Sequence, residues 1–253
     1  VRTEVHWSEV PGRDEAWKEQ TIANTSEAQF KVEFECEFLG SVNTLINPAK
    51  LKNLVYETPI QKNAGFDVYE SPIKDHNYLI TVDVARGLGN DYSAFVVFDI
   101  TNFPYKAVAK YRNNEIKPML FPSIIADIGK AYNKAFILCE VNDIGDQVAS
   151  ILNYDLEYDN LLMCSQRGRA GQVVGAGFSG KRSQLGVRTT AAVKKLGCSN
   201  LKTLLEDDKI LIIDYDIISE LTTFSQKHNS FEAEEGCNDD LAMCLVIFAW
   251  LVA

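Results

Sequence analysis

Apolar positions recur in two different rhythms along this chain. Tyr78 to Val84 and Ser93 to Ile100 are apolar runs rich in β-branched and aromatic residues, and Gly87, Gly89, Asn90 and Asp91 lie between them. Those four supply the backbone freedom of a tight turn. The segment therefore reads as strand, turn, strand. Lys106 to Asn113 reads as a third strand. Phe121 to Asn133 then switches to helical spacing, with Pro122 in its first turn. Lys134 to Asn142 is an apolar strand with Glu140 near its end, and Asp143 to Asn153 a helix with an acidic start. Leu161 to Cys164 is a short strand. Arg167 to Gly186, with six glycines, is a loop or hairpin. Arg188 to Glu206 is mostly helical, interrupted at Gly197. Ile210 to Ile213 is a strand, Asp216 to Gln226 a helix, and His228 to Gly236 a short hairpin arm. Asn238 caps a final apolar helix that runs through Trp250.

This order predicts an α/β fold with a mixed sheet. An antiparallel three-strand ribbon is joined to parallel strands through right-handed crossovers, with helices flanking the sheet. The first forty residues differ. Asp14 to Asn24 predicts a short helix, Ser26 to Gln29 fits a capping box, and Gly40 fits a helix stop. Between them, Phe30 to Phe38 alternates like a strand. Phe30, Phe34 and Phe38 are also four apart, and the interleaved Glu residues are poor strand formers, so a helix is expected. Ser41 to Gln61 is a connector with a short helix near Pro48 to Leu54, and Phe66 to Tyr69 is a short strand. The expected division is residues 1–45 and a domain over 46–253.

Composition narrows the class. Of 253 residues 46% are apolar, enough for a sizeable core. The start of the chain has no charged-then-apolar leader pattern. Leu241 to Ala253, the longest apolar run, is too short to span a bilayer. Cys36, Cys139, Cys164, Cys198, Cys237 and Cys244 form no CxxC pair and read as reduced core thiols of a cytosolic protein. His6, His76 and His228 are scattered and read as structural or surface residues. The net charge of −10 argues against nucleic-acid binding, but its distribution argues for it. Asn160 to Leu205 contains no acid, while it holds Arg167, Arg169, Lys181, Arg182, Arg188, Lys194, Lys195 and Lys202. Such a segment suits phosphate binding.

Three acidic positions interrupt apolar runs: Asp83 in the first strand, Glu140 late in the fourth, and Asp239-Asp240 opening the last helix. An unpaired buried charge is very costly. In a sheet where the first and fourth strands are neighbours, these acids converge. Two charges about 4 Å apart repel by roughly 4 kcal/mol at an effective dielectric of 20. A divalent cation resolves that. Mg²⁺ prefers carboxylate and water oxygens, and a pair of such ions cleaves phosphodiesters. Asp91 is either a turn former or part of the metal's surroundings. Gly175 to Lys181 matches seven positions of a P-loop, but Arg182 stands where Ser or Thr must hold Mg²⁺. An NTPase module and a non-catalytic DNA clamp are the competing readings.

Three stretches carry a resemblance: Thr81 to Ser93 (TVDVARGLGNDYS), Ile137 to Asn142 (ILCEVN) and Gly236 to Met243 (GCNDDLAM). The chain resembles the C-terminal part of the large terminase subunit, the DNA-packaging motor, of T4-like tailed bacteriophages. The resemblance implies an RNase H/resolvase-like nuclease that cuts concatemeric double-stranded DNA. It implies a metal-binding catalytic set of Asp83, Glu140 and one of Asp239 and Asp240, with Asp240 favoured. Mg²⁺ is the implied cofactor, with Mn²⁺ able to substitute, in a two-ion site. Gly87 and Asp91 match an important turn of the family, whereas Arg86 receives no role. Residues 1–45 resemble the tail of an ATPase region and its link to the nuclease. The ATPase domain, the small terminase subunit and the portal are implied partners, in the host cytoplasm.

Overall fold

The structure is a computed structural model and describes all residues except 1–6, 25–29, 31–33, 35–42, 90, 168–170, 175–182 and 253. The chain divides into two compact units, Val1–Asn43 and Thr44–Ala253. In the first, a short 3-10 turn at Trp7–Glu9 precedes α1 (Glu15–Asn24). The rings of Trp7, Trp17, Phe30 and Phe34 meet there at 5.1–6.1 Å. Of the helix expected between Ser26 and Gly40, Phe30 and Phe34 are described. Both are helical, with rings 5.1 Å apart, as four-residue spacing on a helix requires. The capping box and Gly40 lie outside the described residues.

The second unit holds, in order, α2 (Pro48–Asn53), β1 (Gln61–Asn63), β2 (Phe66–Val68), β3 (Tyr78–Asp83), β4 (Ser93–Asp99), β5 (Tyr105–Asn113) and α3 (Phe121–Ala131). Then come β6 (Phe136–Cys139), α4 (Gly145–Ser150, continued by a π-helical stretch to Asp155), β7 (Met163–Arg167), β8 (Gly171–Val174) and β9 (Ser183–Leu185). The chain closes with α5 (Ala191–Glu206), β10 (Ile210–Leu211), α6 (Tyr215–Thr223), β11 (Phe224–Lys227), β12 (Ser230–Ala233) and α7 (Asp240–Leu251). The main sheet runs β1-β2-β5-β4-β3-β6, with β10 also beside β5. β3, β4 and β5 are antiparallel, while β6 joins β3 and β10 joins β5 in parallel. This is the mixed sheet expected from the pattern.

Strand periodicity sorts the two faces of β3. Tyr78, Ile80 and Val82 join Phe121, Ile125 and Val148 of α3 and α4 in one core. Thr81 points the other way and donates to the Cys244 carbonyl of α7 at 2.8 Å. Phe98 of β4 stacks on Phe248 with centroids 3.9 Å apart. α7 is apolar all round because it is buried all round, from Asp240 to Trp250.

Several expectations need correction. Gly197 does not interrupt α5, which is continuous. A Cβ there would lie 2.4 Å from the Val246 carbonyl, so the glycine permits a close crossing of α5 and α7. Gly197→Ala should therefore lower stability by about 1–3 kcal/mol. Chemical denaturation measures this, and a wild-type midpoint would contradict the close approach. The helix cap at the start of α7 is Asp239, not Asn238. β10 is only two residues long. The fourth main strand stops at Cys139, just before Glu140. β7, β8 and β9 form a separate three-stranded ribbon, in which β7 and β8 pair antiparallel as a hairpin does. Cys139, Cys164, Cys198 and Cys244 are buried thiols, but Cys237 is exposed.

Candidate metal centre

The register of β3 and β6 sets the position of the first two acids. Val82 pairs with Cys139, and the Glu140 amide donates to the Val82 carbonyl at 2.9 Å. The next step along both strands brings Asp83 and Glu140 side by side. They stand at the carboxyl ends of parallel strands, where open α/β sheets place their ligands. Glu140 is held from several directions. Its residue bridges Val187. A Cβ on Gly145 would lie 2.0 Å from the Glu140 carbonyl oxygen, so α4 starts hard against this strand end. Asn142 donates from Nδ2 to Glu140 Oε1 at 2.7 Å and to the Thr189 carbonyl at 3.3 Å.

Asp240 opens α7 and is 9% exposed. The Tyr92 amide donates to its Oδ1 at 3.2 Å, while Oδ2 is buried without a hydrogen-bond partner. The turn between β3 and β4 closes on itself: Ser93 Oγ accepts from the Ala85 amide at 3.1 Å and donates to the Ala85 carbonyl at 3.2 Å. Gly87 has φ +68°, and a Cβ there would lie 2.4 Å from the Ile116 carbonyl oxygen. It is thus a turn residue by necessity. Asp91 is exposed and lines the same cleft, an open space of about 240 Å³ also edged by Asp83, Asp240, Arg86, Leu88 and Asp143.

The charges in this space conflict. Burial pushes the Asp83 carboxyl well above its ordinary range, and Glu140, Asp240 and Asp239 push it further. Burial raises Asp240 to about 6, with Asp239 and Asp91 adding and Arg112 opposing. Asp239 is turned elsewhere: its Oδ2 accepts from the Ala233 amide of β12 at 3.2 Å. Of the Asp239-Asp240 pair, it is Asp240 that lines the cleft. Carboxylate oxygens that repel each other, one of them buried and unpartnered, form a donor set fit for a hard divalent cation. Asp83, Glu140 and Asp240 are the residues that would hold it.

Arg86, given no role from the sequence, and Asp143, read there only as an acidic helix start, both line the cleft. Arg86 grips Asp143 with both ends of its guanidinium, Nε to Oδ2 at 2.7 Å and a terminal nitrogen to Oδ1 at 2.9 Å. Both side chains are exposed. Glu220 of α6 was also missed. Burial lifts it to about 8, against the pull of Arg112 and of two backbone amides. It interrupts the apolar residues Ile217, Ile218 and Leu221, much as Asp83 interrupts its strand, and that was the available signal.

A second acidic group is of another kind. Ligand atoms of Asp67, Asp214 and Asp216 lie within 4.8 Å of one another. Lys110 already sits among them, 3.2 Å from Asp67, 3.8 Å from Asp214, and hydrogen-bonded to Asp216. Tyr69 donates to Asp214 at 2.5 Å. A lysine supplies the cation here.

Of the basic positions, Arg167 falls in β7, while Arg169, Lys181 and Arg182 lie outside the described residues. Arg188 and Lys195 are exposed, and Lys194 lies 5.7 Å from the Phe224 ring centroid. The P-loop reading fails on topology. β8 ends at Val174, and a strand, β9, follows at Ser183 where a P-loop needs a helix. Gly175 to Lys181 lies outside the described residues between these strands.

A mixed sheet with carboxylates at the ends of its parallel strands is an α/β scaffold suited to metal-assisted chemistry. Residues 80–250 match the family described as "Terminase RNaseH-like domain". The chain belongs to that family. Solved structures share the fold. The large terminase nuclease from thermophilic phage G20c with bound magnesium is 20% identical over 83% of this chain and 97% of its own, with a TM-score of 0.61. The Thermus phage P74-26 large terminase nuclease domain is 21% identical over 81% and 93%, with a TM-score of 0.58. The large terminase of another thermophilic bacteriophage, in complex with ATP-gamma-S, is 8% identical over 98% of this chain and 55% of its own, with a TM-score of 0.50. Among the described residues, no helix is long and apolar enough to cross a membrane.

Proposed function

We propose that this domain cuts concatemeric double-stranded viral DNA during genome packaging, by hydrolysing phosphodiesters with two divalent ions, Mg²⁺ or in its place Mn²⁺. One observation carries the reading: Asp83, Glu140 and Asp240 converge at the open end of the sheet, with the Asp240 Oδ2 atom buried and unpartnered. When bound, the metal supplies Lewis-acid stabilisation of the phosphoryl oxygens and a water of lowered pKa.

The chain's own groups prepare that chemistry. The Tyr92 amide holds Asp240 Oδ1, and Oδ2 stays buried without a partner in the protein. Asn142 fixes the Glu140 carboxylate through Oε1. Asp91 stands at the rim, within reach of incoming water or metal. Arg86 is the cation among the described residues that line the cleft, and it offers a guanidinium to the DNA backbone. Arg167 of β7, Lys194 and Lys195 of α5, and Arg169, Lys181, Arg182 and Arg188 provide sequence-independent phosphate contacts. By the same family resemblance, residues 1–45 join this domain to an ATPase domain, and the assembly meets the small terminase subunit and the portal in the host cytoplasm.

The decisive experiment incubates the protein with supercoiled plasmid and Mg²⁺ or Mn²⁺. Nicked and linear products are expected, suppressed by EDTA and by Asp240→Asn. DNA binding that weakens steeply with salt, without cleavage by any divalent ion, would instead make this a DNA clamp.

A further inference from the structure

α7 starts with two acids, and neither one caps it. A residue in the cap position ordinarily accepts from the amides two or three places on. Asp239 occupies that position but makes no such bond, because its carboxylate is spent on Ala233 of β12. Asp240 is turned to the cleft. The two amides that Asp239 would otherwise take, those of Leu241 and Ala242, donate instead to Glu220 Oε2 at 2.8 and 2.9 Å. The cap therefore comes from α6, some twenty residues earlier in the chain.

The connection continues beyond the cap. Glu220 Oε1 lies 3.2 Å from an Arg112 guanidinium nitrogen. That guanidinium lies over the Tyr92 ring, 3.9 Å from its centroid. The Tyr92 amide in turn donates to Asp240 Oδ1. A closed circuit thus links α7, α6, β5 and the segment entering β4, and both of its ends reach the first turn of α7. For stability alone this is a poor arrangement. Burying a Glu–Arg pair recovers little over an apolar pair, and a local Ser or Asp caps a helix at lower cost.

Resting on the metal-cleft reading above, we propose that Glu220 and Arg112 are positioning residues. By capping α7 from the side, they keep Asp239 and Asp240 from turning back onto the helix amides and hold the Asp240 carboxylate at the cleft. Without Glu220, the vacant Leu241 and Ala242 amides draw in the nearest carboxylates, which are those of Asp239 and Asp240, and the cleft loses its shape.

The test reads metal affinity apart from stability. Mn²⁺ binding is measured by calorimetry, alongside melting temperature, on wild type, Glu220→Ala, Glu220→Gln, Arg112→Ala, Leu152→Ala and Asp83→Ala. Glu220→Ala is expected to weaken Mn²⁺ binding by about tenfold or more, the usual effect of losing a group that orients a ligand. Glu220→Gln keeps an oxygen for the two amides and should restore most of the affinity. Leu152→Ala removes a buried side chain from the core on the opposite face of the sheet, so it should lower the melting temperature and leave affinity unchanged. Wild-type affinity in Glu220→Ala would overturn the proposal, as would an equal loss in Leu152→Ala. Should Glu220→Ala not fold, Arg112→Ala decides: weakened binding supports the circuit, and unchanged binding overturns it. Wild type that binds no Mn²⁺, or binding indifferent to Asp83→Ala, removes the metal-cleft reading itself and the proposal with it.

Discussion

We expect Asp83→Asn to melt above the wild type in EDTA at neutral pH, and yet to cleave plasmid roughly a thousandfold more slowly with Mg²⁺ present. The two effects have one cause. Without metal, Asp83 is a half-buried carboxyl facing Glu140 and Asp240, and its folded-state affinity for a proton is raised. A raised carboxyl pKa means that the folded chain holds protons more tightly than the unfolded one. Stability then falls as pH rises from about 4, the unfolded carboxyl value, through the folded values. Asp240, at about 6, falls in the same window and adds to it. Asn at position 83 removes one of the repelling charges, so the gain in EDTA should be on the order of 1–2 kcal/mol, about 2–8 °C for a domain of this size. It should vanish near pH 4, where the wild-type carboxyl is already neutral. Added Mg²⁺ reverses the order, because it binds the folded wild type and stabilises it by mass action. The loss in rate reflects the several kcal/mol that a bound metal supplies to phosphoryl transfer. Melting curves in EDTA and in Mg²⁺, with plasmid cleavage in parallel, measure all three. A variant that cuts like the wild type would remove Asp83 from the site.

The second large effect comes from a residue with no chemistry of its own. Gly145→Ala should destabilise the domain by about 1–3 kcal/mol or more and lower cleavage at least tenfold. Its Cβ would lie 2.0 Å from the Glu140 carbonyl oxygen, a distance no packing tolerates. Either α4 retreats, loosening Val148 and Ala149 from the core, or the strand end carrying Glu140 shifts. A displacement of about 1 Å at a catalytic group suffices for large losses in rate. Denaturation and cleavage assays together check this. An active enzyme of normal stability would show that α4 does not press on Glu140.

Asp83 and Glu140 were legible because strand periodicity is a local signal and a carboxylate inside an apolar strand is conspicuous. That their strands could be neighbours was open in the sequence, and the parallel pairing of β3 with β6 supplies it. The choice between Asp239 and Asp240 was harder, because it depends on where α7 begins and which way its first turn faces. That is set by Ala233, Tyr92 and Glu220, residues distant in sequence. Glu220 interrupts an apolar helix face, but nothing nearby in sequence reveals that its partners are amides twenty residues on. Gly197 was misread for the same reason: a glycine in a helix signals a break locally, whereas here the cause is a second helix crossing it. The seven P-loop positions, already doubtful because of Arg182, lose their meaning outside a strand–loop–helix setting, and here strands stand on both sides.

Lys110 gives this domain a second way of handling crowded carboxylates. Among Asp67, Asp214 and Asp216 the neutralising charge is covalently part of the chain, and it arrives when β5 folds. Asp214 also caps α6 through the Ile217 amide at 2.7 Å, so that helix is anchored whether or not any ion is present. If the cleft takes a removable divalent ion, as we propose, the protein divides its acids between a resident cation and an exchangeable one. A chelator is then expected to leave the Lys110 cluster and the start of α6 untouched, because the cation there cannot dissociate.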